Sequence, residues 1–192
     1  MAASRRSIKL GVLAEDASDI DVLRAVLPKV APRKSFGIRS FHGRGCAKIR
    51  SKCRRWATVL ADSGCSVLIL MHDSDGNNVA KIIRVIEASL RPCPISIYLI
   101  IIPIEEVEAW LLTDPAAIKA TFSLKSNFRC PANPERIHDP KEYLRELVWK
   151  ASGKTKDYIN TVHNKRIAER LTLNSLRKCS AFLRLQAFWE EV

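Results

Sequence analysis

The residue pattern predicts an α/β fold: a mostly parallel sheet with helices on both faces, followed by a C-terminal helical extension. Three observations carry this. Short aliphatic runs at Ile8 to Ala14, Val67 to His72 and Ile95 to Ile102 alternate with helically spaced segments of about a dozen residues. Val67 to Met71 is apolar at every position, as in a strand buried on both faces. The 192 residues suit one domain with an extension, and 47% hydrophobic content is enough for a real core.

In order, the first strand ends at Glu15-Asp16. Ala17-Ser18-Asp19 offers a helix start, after which Ile20, Val22, Leu23, Val26 and Leu27 recur at helical spacing until Pro28. Phe36 to Phe41 is a short second strand, followed by the loop His42-Gly43-Arg44-Gly45. A helix over Cys46 to Leu60 sets Ile49, Cys53, Trp56, Val59 and Leu60 against a basic face of Lys48, Arg50, Lys52, Arg54 and Arg55. Asp62-Ser63-Gly64 turns into the third strand, which stops at Asp73-Ser74-Asp75-Gly76. Val79 to Leu90 is the next helix, broken by Pro92 and Pro94. The fourth strand ends at Pro103, and Ile104 to Leu112 is expected to open a helix with Glu105, Glu106 and Glu108 in its first turns. The core is assigned to residues 1–115. Residues 116–192 hold an irregular connection (Ser123 to Pro140), a helix over Lys141 to Lys150, and two helices between Thr161 and Val192 separated near Leu173-Asn174-Ser175.

A net charge of +12 favours a polyanionic partner, nucleic acid ahead of an anionic membrane. From Val22 to Ala61 there are eleven Lys and Arg and no acid. A solvated helix face normally mixes signs to gain i,i+4 pairs; a single-sign run instead suits a phosphate backbone. The six cysteines form no C-x-x-C pair, which argues for reduced, packed thiols and against structural zinc. Met-Ala-Ala-Ser-Arg-Arg leads into a strand and not a signal sequence, and Ile95 to Ile104 is too short to span a bilayer. A cytoplasmic protein without a membrane partner is expected.

Parallel neighbours bring their carboxyl ends together. Glu15 with Asp19, the pair Asp73 and Asp75, and the group Glu105, Glu106 and Glu108 are therefore expected at one sheet edge. One glutamate and a D-x-D pair can hold one or two magnesium ions together with waters. Such an ion activates water or steadies the leaving oxygen of an in-line phosphoryl displacement. Each acid also has a plainer use: Asp19 as a helix cap, Glu105 and Glu106 at the positive end of a helix dipole. Asp73-Ser74-Asp75-Gly76 superficially resembles the D-x-D-G-T/V start of haloacid-dehalogenase-type phosphatases, but that family places it on the first strand, and Asn77 stands in the Thr/Val place. A receiver domain needs a downstream strand-end Lys, which Ile95 to Pro103 lacks. No G-x-G-x-x-G, Walker A or nucleophile-elbow motif occurs.

Glu15-Asp16-Ala17-Ser18-Asp19 is similar to the E-G-x-x-D turn of the TOPRIM domain of topoisomerases, primases and OLD-type nucleases, and Asp73-Ser74-Asp75 follows a hydrophobic strand as in that family. Asp16 departs from its usual glycine. Glu106-Val107-Glu108-Ala109-Trp110-Leu111-Leu112-Thr113-Asp114 resembles the E-x-x-A-W-L-L-x-D stretch of small TOPRIM-like proteins of unassigned function, found beside ATPase genes in bacteria and suspected of antiphage roles.

The resemblance implies a TOPRIM/Rossmann-like core and a Mg2+- or Mn2+-dependent nucleic-acid phosphodiesterase. Glu15 would be the general base or a ligand, Asp73 and Asp75 ligands, with Asp19 and one of Glu105, Glu106 or Glu108 completing the site. OLD-type nucleases also take a basic residue from beyond the core. Lys165 is placed in that role, Lys156 is a further candidate, and Lys154 and His163 are assigned to nucleic-acid contact with Arg44, Lys48, Arg50, Arg54 and Arg55. A separate ATPase and self-association are the implied protein partners. The competing reading is a non-catalytic TOPRIM-like module that binds nucleic acid or regulates an ATPase.

Overall fold

β1 (Arg6–Ala14) lies inside a four-stranded sheet, flanked by β2 (Lys34–His42) and β3 (Val67–Met71), with β4 (Ile97–Ile101) beyond β3. Every pairing is parallel, with Leu13 opposite Leu70 and Ala14 opposite His42. The computed structural model describes residues 6–43 and 45–192.

Alternation along the strands supplies two apolar faces. Leu10, Val12, Val67, Ile69 and Met71 point to one, Leu13, Leu68 and Leu70 to the other. The second face is covered by α2 (Cys46–Asp62) and α3 (Val79–Leu90), through Ile49, Cys53, Leu60, Ile82 and Ile86. A Cβ on Gly11 would lie 2.9 Å from Leu60 Cδ1, so α2 sits this close to β1 only because that residue is glycine. The first face is covered by α1 (Ala17–Val30) and by helices from the second half of the chain.

That half contains α4 (Glu108–Leu111), α5 (Pro115–Phe122), a 3₁₀ turn (Pro134–Arg136), α6 (Pro140–Ala151), α7 (Asn160–Ala168), α8 (Leu173–Leu176) and α9 (Ser180–Glu191). Tyr158, Ile167, Phe182, Leu185 and Trp189 join the same core as β1 and α1. Lys29 of α1 donates to the carbonyls of Ala168, Glu169 and Leu171 at 2.8, 2.9 and 2.7 Å, satisfying the free end of α7. The fold is thus α/β, with an all-parallel sheet, helices on both faces and a C-terminal helical extension.

Three local expectations are corrected. The helix expected from Ile104 spans only Glu108–Leu111, because Glu105 takes a left-handed φ of 58°. Tertiary bonds impose this: Glu105 N–H donates to Ser74 Oγ at 2.7 Å, and its carbonyl accepts Asp75 N–H at 3.2 Å. The expected gap near Leu173 is itself α8, capped by Thr172. α5 falls where the residue pattern predicts no helix; Asp114 starts it by accepting the N–H groups of Ala116 and Ala117, both at 3.1 Å. Among the described residues no helix is long and apolar enough to cross a membrane.

Candidate active site

The chain leaves β1 for one neighbour and later returns to the other, so the strand order reverses between β1 and β3. In open α/β sheets the crevice beyond the carboxyl ends at such a point is where ligands bind. Glu15 follows β1 and Asp73 follows β3. Asp73 N–H donates to Glu15 Oε1 at 3.1 Å. His72, buried, places Nδ1 3.2 Å from the same oxygen and 2.6 Å from the Asp73 carbonyl.

A cavity of about 320 Å³ opens here, lined by Glu15, Asp19, Asp73, Asp75, Glu106 and Glu108. Lys141 of α6 joins them, with Gly45 and Asn160 at the starts of α2 and α7. Asp16, the departure from the TOPRIM turn, is the N-cap of α1: it accepts Ser18 N–H at 3.0 Å, while Asp19 Oδ2 accepts Asp16 N–H at 2.9 Å. This capping box leaves the buried Asp19 fixed at the cavity, so it serves the helix start as its third residue and not as its cap.

The second half of the chain grips the other acids. Glu106 Oε2 accepts Lys141 N–H at 2.9 Å, and Oε1 lies 3.2 Å from Lys141 Nζ. Glu108 Oε1 is bonded by Tyr158 Oη at 3.0 Å and Asn164 Nδ2 at 3.1 Å. Glu105 does not line the cavity. Its carboxylate lies near Gly76 and 3.6 Å from His138. Asp75 and Gly76 are both left-handed, at φ 45° and 72°, in a turn closed by Asn77 N–H to the Ser74 carbonyl at 2.8 Å.

These acids repel one another. Burial, reinforced by the charges of Glu108, Asp16 and Glu15, pushes Asp19 up to about 7, against the Asp16 N–H bond that favours its ionised form. Asp73 is held well above the usual carboxylate range by burial first and by Asp19, Glu108, Glu15 and Glu106 next. Burial also raises Glu108, although Lys141 and Asn164 oppose it. Burial alone would lower Lys141, but Glu108 and Glu106 outweigh it and keep the ammonium above its ordinary value.

Among the remaining candidates, Lys48, Arg50, Arg54 and Arg55 are exposed on α2, and none forms an ion pair among the described residues. Arg44 lies outside the described residues. Lys165 is exposed on α7 and does not line the cavity; nor does Lys154, which is exposed with φ 64° after Gly153. His163 is a packing residue: its ring lies 4.6 Å from that of Phe122, Nδ1 accepts Ile159 N–H at 3.0 Å, and burial lowers its pKa. Lys156 Nζ bonds the Phe122 carbonyl at the end of α5. Four groups escape the sequence reading: His72, Lys141, Tyr158 and Asn164. Only Lys141 leaves a trace, as a cation in the first turn of a helix, where the dipole disfavours it and an acidic partner is implied.

Among the described residues no three histidine, cysteine or acidic side chains are already gathered as a closed ligand set. The donor chemistry nonetheless fits a hard cation: only carboxylate oxygens face the cavity as anions, and Asp73 Oδ1 is buried without a hydrogen-bond partner among the described residues. Asp73, Asp19 and Glu108 are the residues that would hold it, with Glu15 beside them as a further ligand or as a base.

Fold and site together define a parallel α/β protein with an acidic crevice at its switch point. Residues 14–191 match the family described as Domain of unknown function (DUF4276), and the chain belongs to that family. No curated protein and no solved structure matches it.

Proposed function

We propose that this protein is a divalent-metal-dependent nucleic-acid phosphodiesterase of TOPRIM type. The observation that carries the reading is the convergence of Glu15, Asp19, Asp73 and Glu108 on one cavity, with Asp73 Oδ1 buried and without a hydrogen-bond partner among the described residues. A bound Mg2+ or Mn2+ would supply Lewis acidity and a water of lowered pKa. Glu15, oriented by Asp73 N–H and His72, accepts the proton of the attacking water. Lys141 holds its proton at Nζ beside Glu106 and donates to a phosphoryl oxygen as negative charge builds there.

The substrate class rests on α2. Its N-cap, Gly45, lines the cavity, and its exposed cations run away from that point. A phosphodiester backbone lying along α2 therefore reaches the acids with its charge already matched. ATP dependence, where it occurs, belongs to a partner protein, in keeping with an antiphage role beside an ATPase.

The test is incubation of purified protein with plasmid, single-stranded DNA and total RNA, with and without Mg2+ or Mn2+. Cleavage of at least one substrate that requires the metal supports the reading. Salt-sensitive binding without cleavage under any condition replaces it with a non-catalytic nucleic-acid-binding module.

A further inference from the structure

We infer that Tyr158 and Asn164 set the metal selectivity of this site, by leaving Glu108 a single available oxygen. The inference rests on the cavity being a divalent-cation site. Glu108 is 2% exposed and lines the cavity. Both donors act on the same atom, Oε1: Tyr158 Oη at 3.0 Å and Asn164 Nδ2 at 3.1 Å. Tyr158 Oη is also bonded to Asn164 Oδ1. A phenol has one proton, so the hydroxyl serves Asn164 and Glu108 alternately, while the amide donates to Glu108 without competition. No other described side chain bonds Oε2, although the Glu108 backbone N–H also bonds the carboxylate, so Oε2 is the oxygen that faces the cavity.

The clamp is rigid. Tyr158 is 1% exposed and Asn164 0%, and both are packed beneath the acid by the C-terminal extension. Turning Glu108 to offer both oxygens would strand the buried Asn164 amide N–H and leave Tyr158 only Asn164 Oδ1 to bond, a cost no surface residue relieves. A carboxylate restricted to one oxygen suits Mg2+ or Mn2+, small octahedral ions that keep several waters. It suits Ca2+ poorly, since that ion takes six to eight oxygens and uses bidentate carboxylates. Tyr158 and Asn164 are thus positioning residues: they touch neither ion nor substrate and act only through Glu108.

Mn2+ binding to the full chain is measured by electron paramagnetic resonance, with Ca2+ as competitor, for wild type, Tyr158→Phe and Tyr158→Phe/Asn164→Leu. Melting curves without metal confirm that each variant folds. The double variant is expected to improve Ca2+ competition against Mn2+ by about tenfold, the usual scale for removing groups that orient a ligand. Tyr158→Phe, which keeps the ring in the core, is expected to shift it in the same direction by about threefold, as for one hydrogen bond removed. It carries the test alone where the double variant does not fold. An unchanged Ca2+/Mn2+ ratio in a folded variant overturns the inference. When wild type binds Mn2+ and Asp73→Ala abolishes that binding, an unmoved ratio overturns the selectivity role alone. When wild type binds no Mn2+, the metal-site reading falls with it.

Discussion

Asp73 and Glu15 are bonded to each other across the switch point of the sheet: the Asp73 backbone N–H donates to Glu15 Oε1 at 3.1 Å. The bond joins the ends of two strands that sit side by side but lie 58 residues apart in the chain. It turns one glutamate oxygen towards the backbone, and His72 Nδ1, donating to the Asp73 carbonyl at 2.6 Å and lying 3.2 Å from Glu15 Oε1, fixes the peptide that holds it there. Replacing His72 by Leu removes that support without deleting any carboxylate. Misplacing a reacting group by an ångström costs about a hundredfold in rate, so kcat is expected to fall by roughly that factor with KM little changed. Full activity in His72→Leu would remove the residue from the mechanism.

Metal-free stability should depend on pH in a direction set by the crowded acids. Asp19, pushed up to about 7, binds a proton more tightly in the folded than in the unfolded chain, and Asp73 and Glu108 shift the same way. Between about 4 and 7 the folded state therefore carries more protons, and unfolding free energy falls as pH rises. Metal-free protein should melt several degrees lower at pH 8 than at pH 5, with Mn2+ restoring more at pH 8. Thermal melts at the two pH values, with and without Mn2+, check this; a larger Mn2+ effect at pH 5 contradicts it.

Asp114 is expected to matter for stability and not for chemistry. It caps α5 and also accepts from Thr172 N–H, Thr172 Oγ1 and Ser175 Oγ at 3.1, 3.3 and 3.2 Å. Burial would raise its pKa, but these bonds outweigh burial and lower it, so its contribution is present above the unfolded value and lost as pH falls through the folded one. Asp114→Ala should cost about 1–2 kcal/mol, the upper range for a helix cap, measured by urea unfolding at pH 7. Cleavage per folded molecule should not change.

On α2, Arg50, Arg54 and Arg55 are exposed and not ion-paired among the described residues. Replacing all three by Ala should weaken binding to every nucleic-acid sequence alike. The slope of log K against log salt should flatten by about 0.9 for each duplex phosphate that is no longer neutralised. An unchanged slope would mean that this face points away from the substrate.

How much of the fold and site is legible in the chain depends on the range of the interactions involved. Val79–Leu90 matches to the residue, since both an asparagine cap and an apolar period of 3.6 are local signals. Glu15 and Asp73 can be paired because strand ends in a parallel sheet meet by geometry. Glu105 is misplaced because three acids after a proline look like a dipole-stabilised helix start. In the fold, Ser74 and Asp75 hold its backbone left-handed, Ser74 from 31 residues away. Lys141, Tyr158 and Asn164 reach Glu106 and Glu108 over 35, 50 and 56 residues, and no periodicity spans such distances. His163 stands in a polar segment that suggests an outward-facing side chain, yet its ring packs on Phe122, which only tertiary structure brings alongside.

The most direct test of the catalytic assignment compares wild type with Asp73→Ala/Asp75→Ala, measuring Mg2+- or Mn2+-dependent cleavage and salt-sensitive binding on the same substrate. Cleavage is expected to vanish while binding is retained or tightened, since two repelling charges are gone. Cleavage at the wild-type rate in the double variant would contradict it.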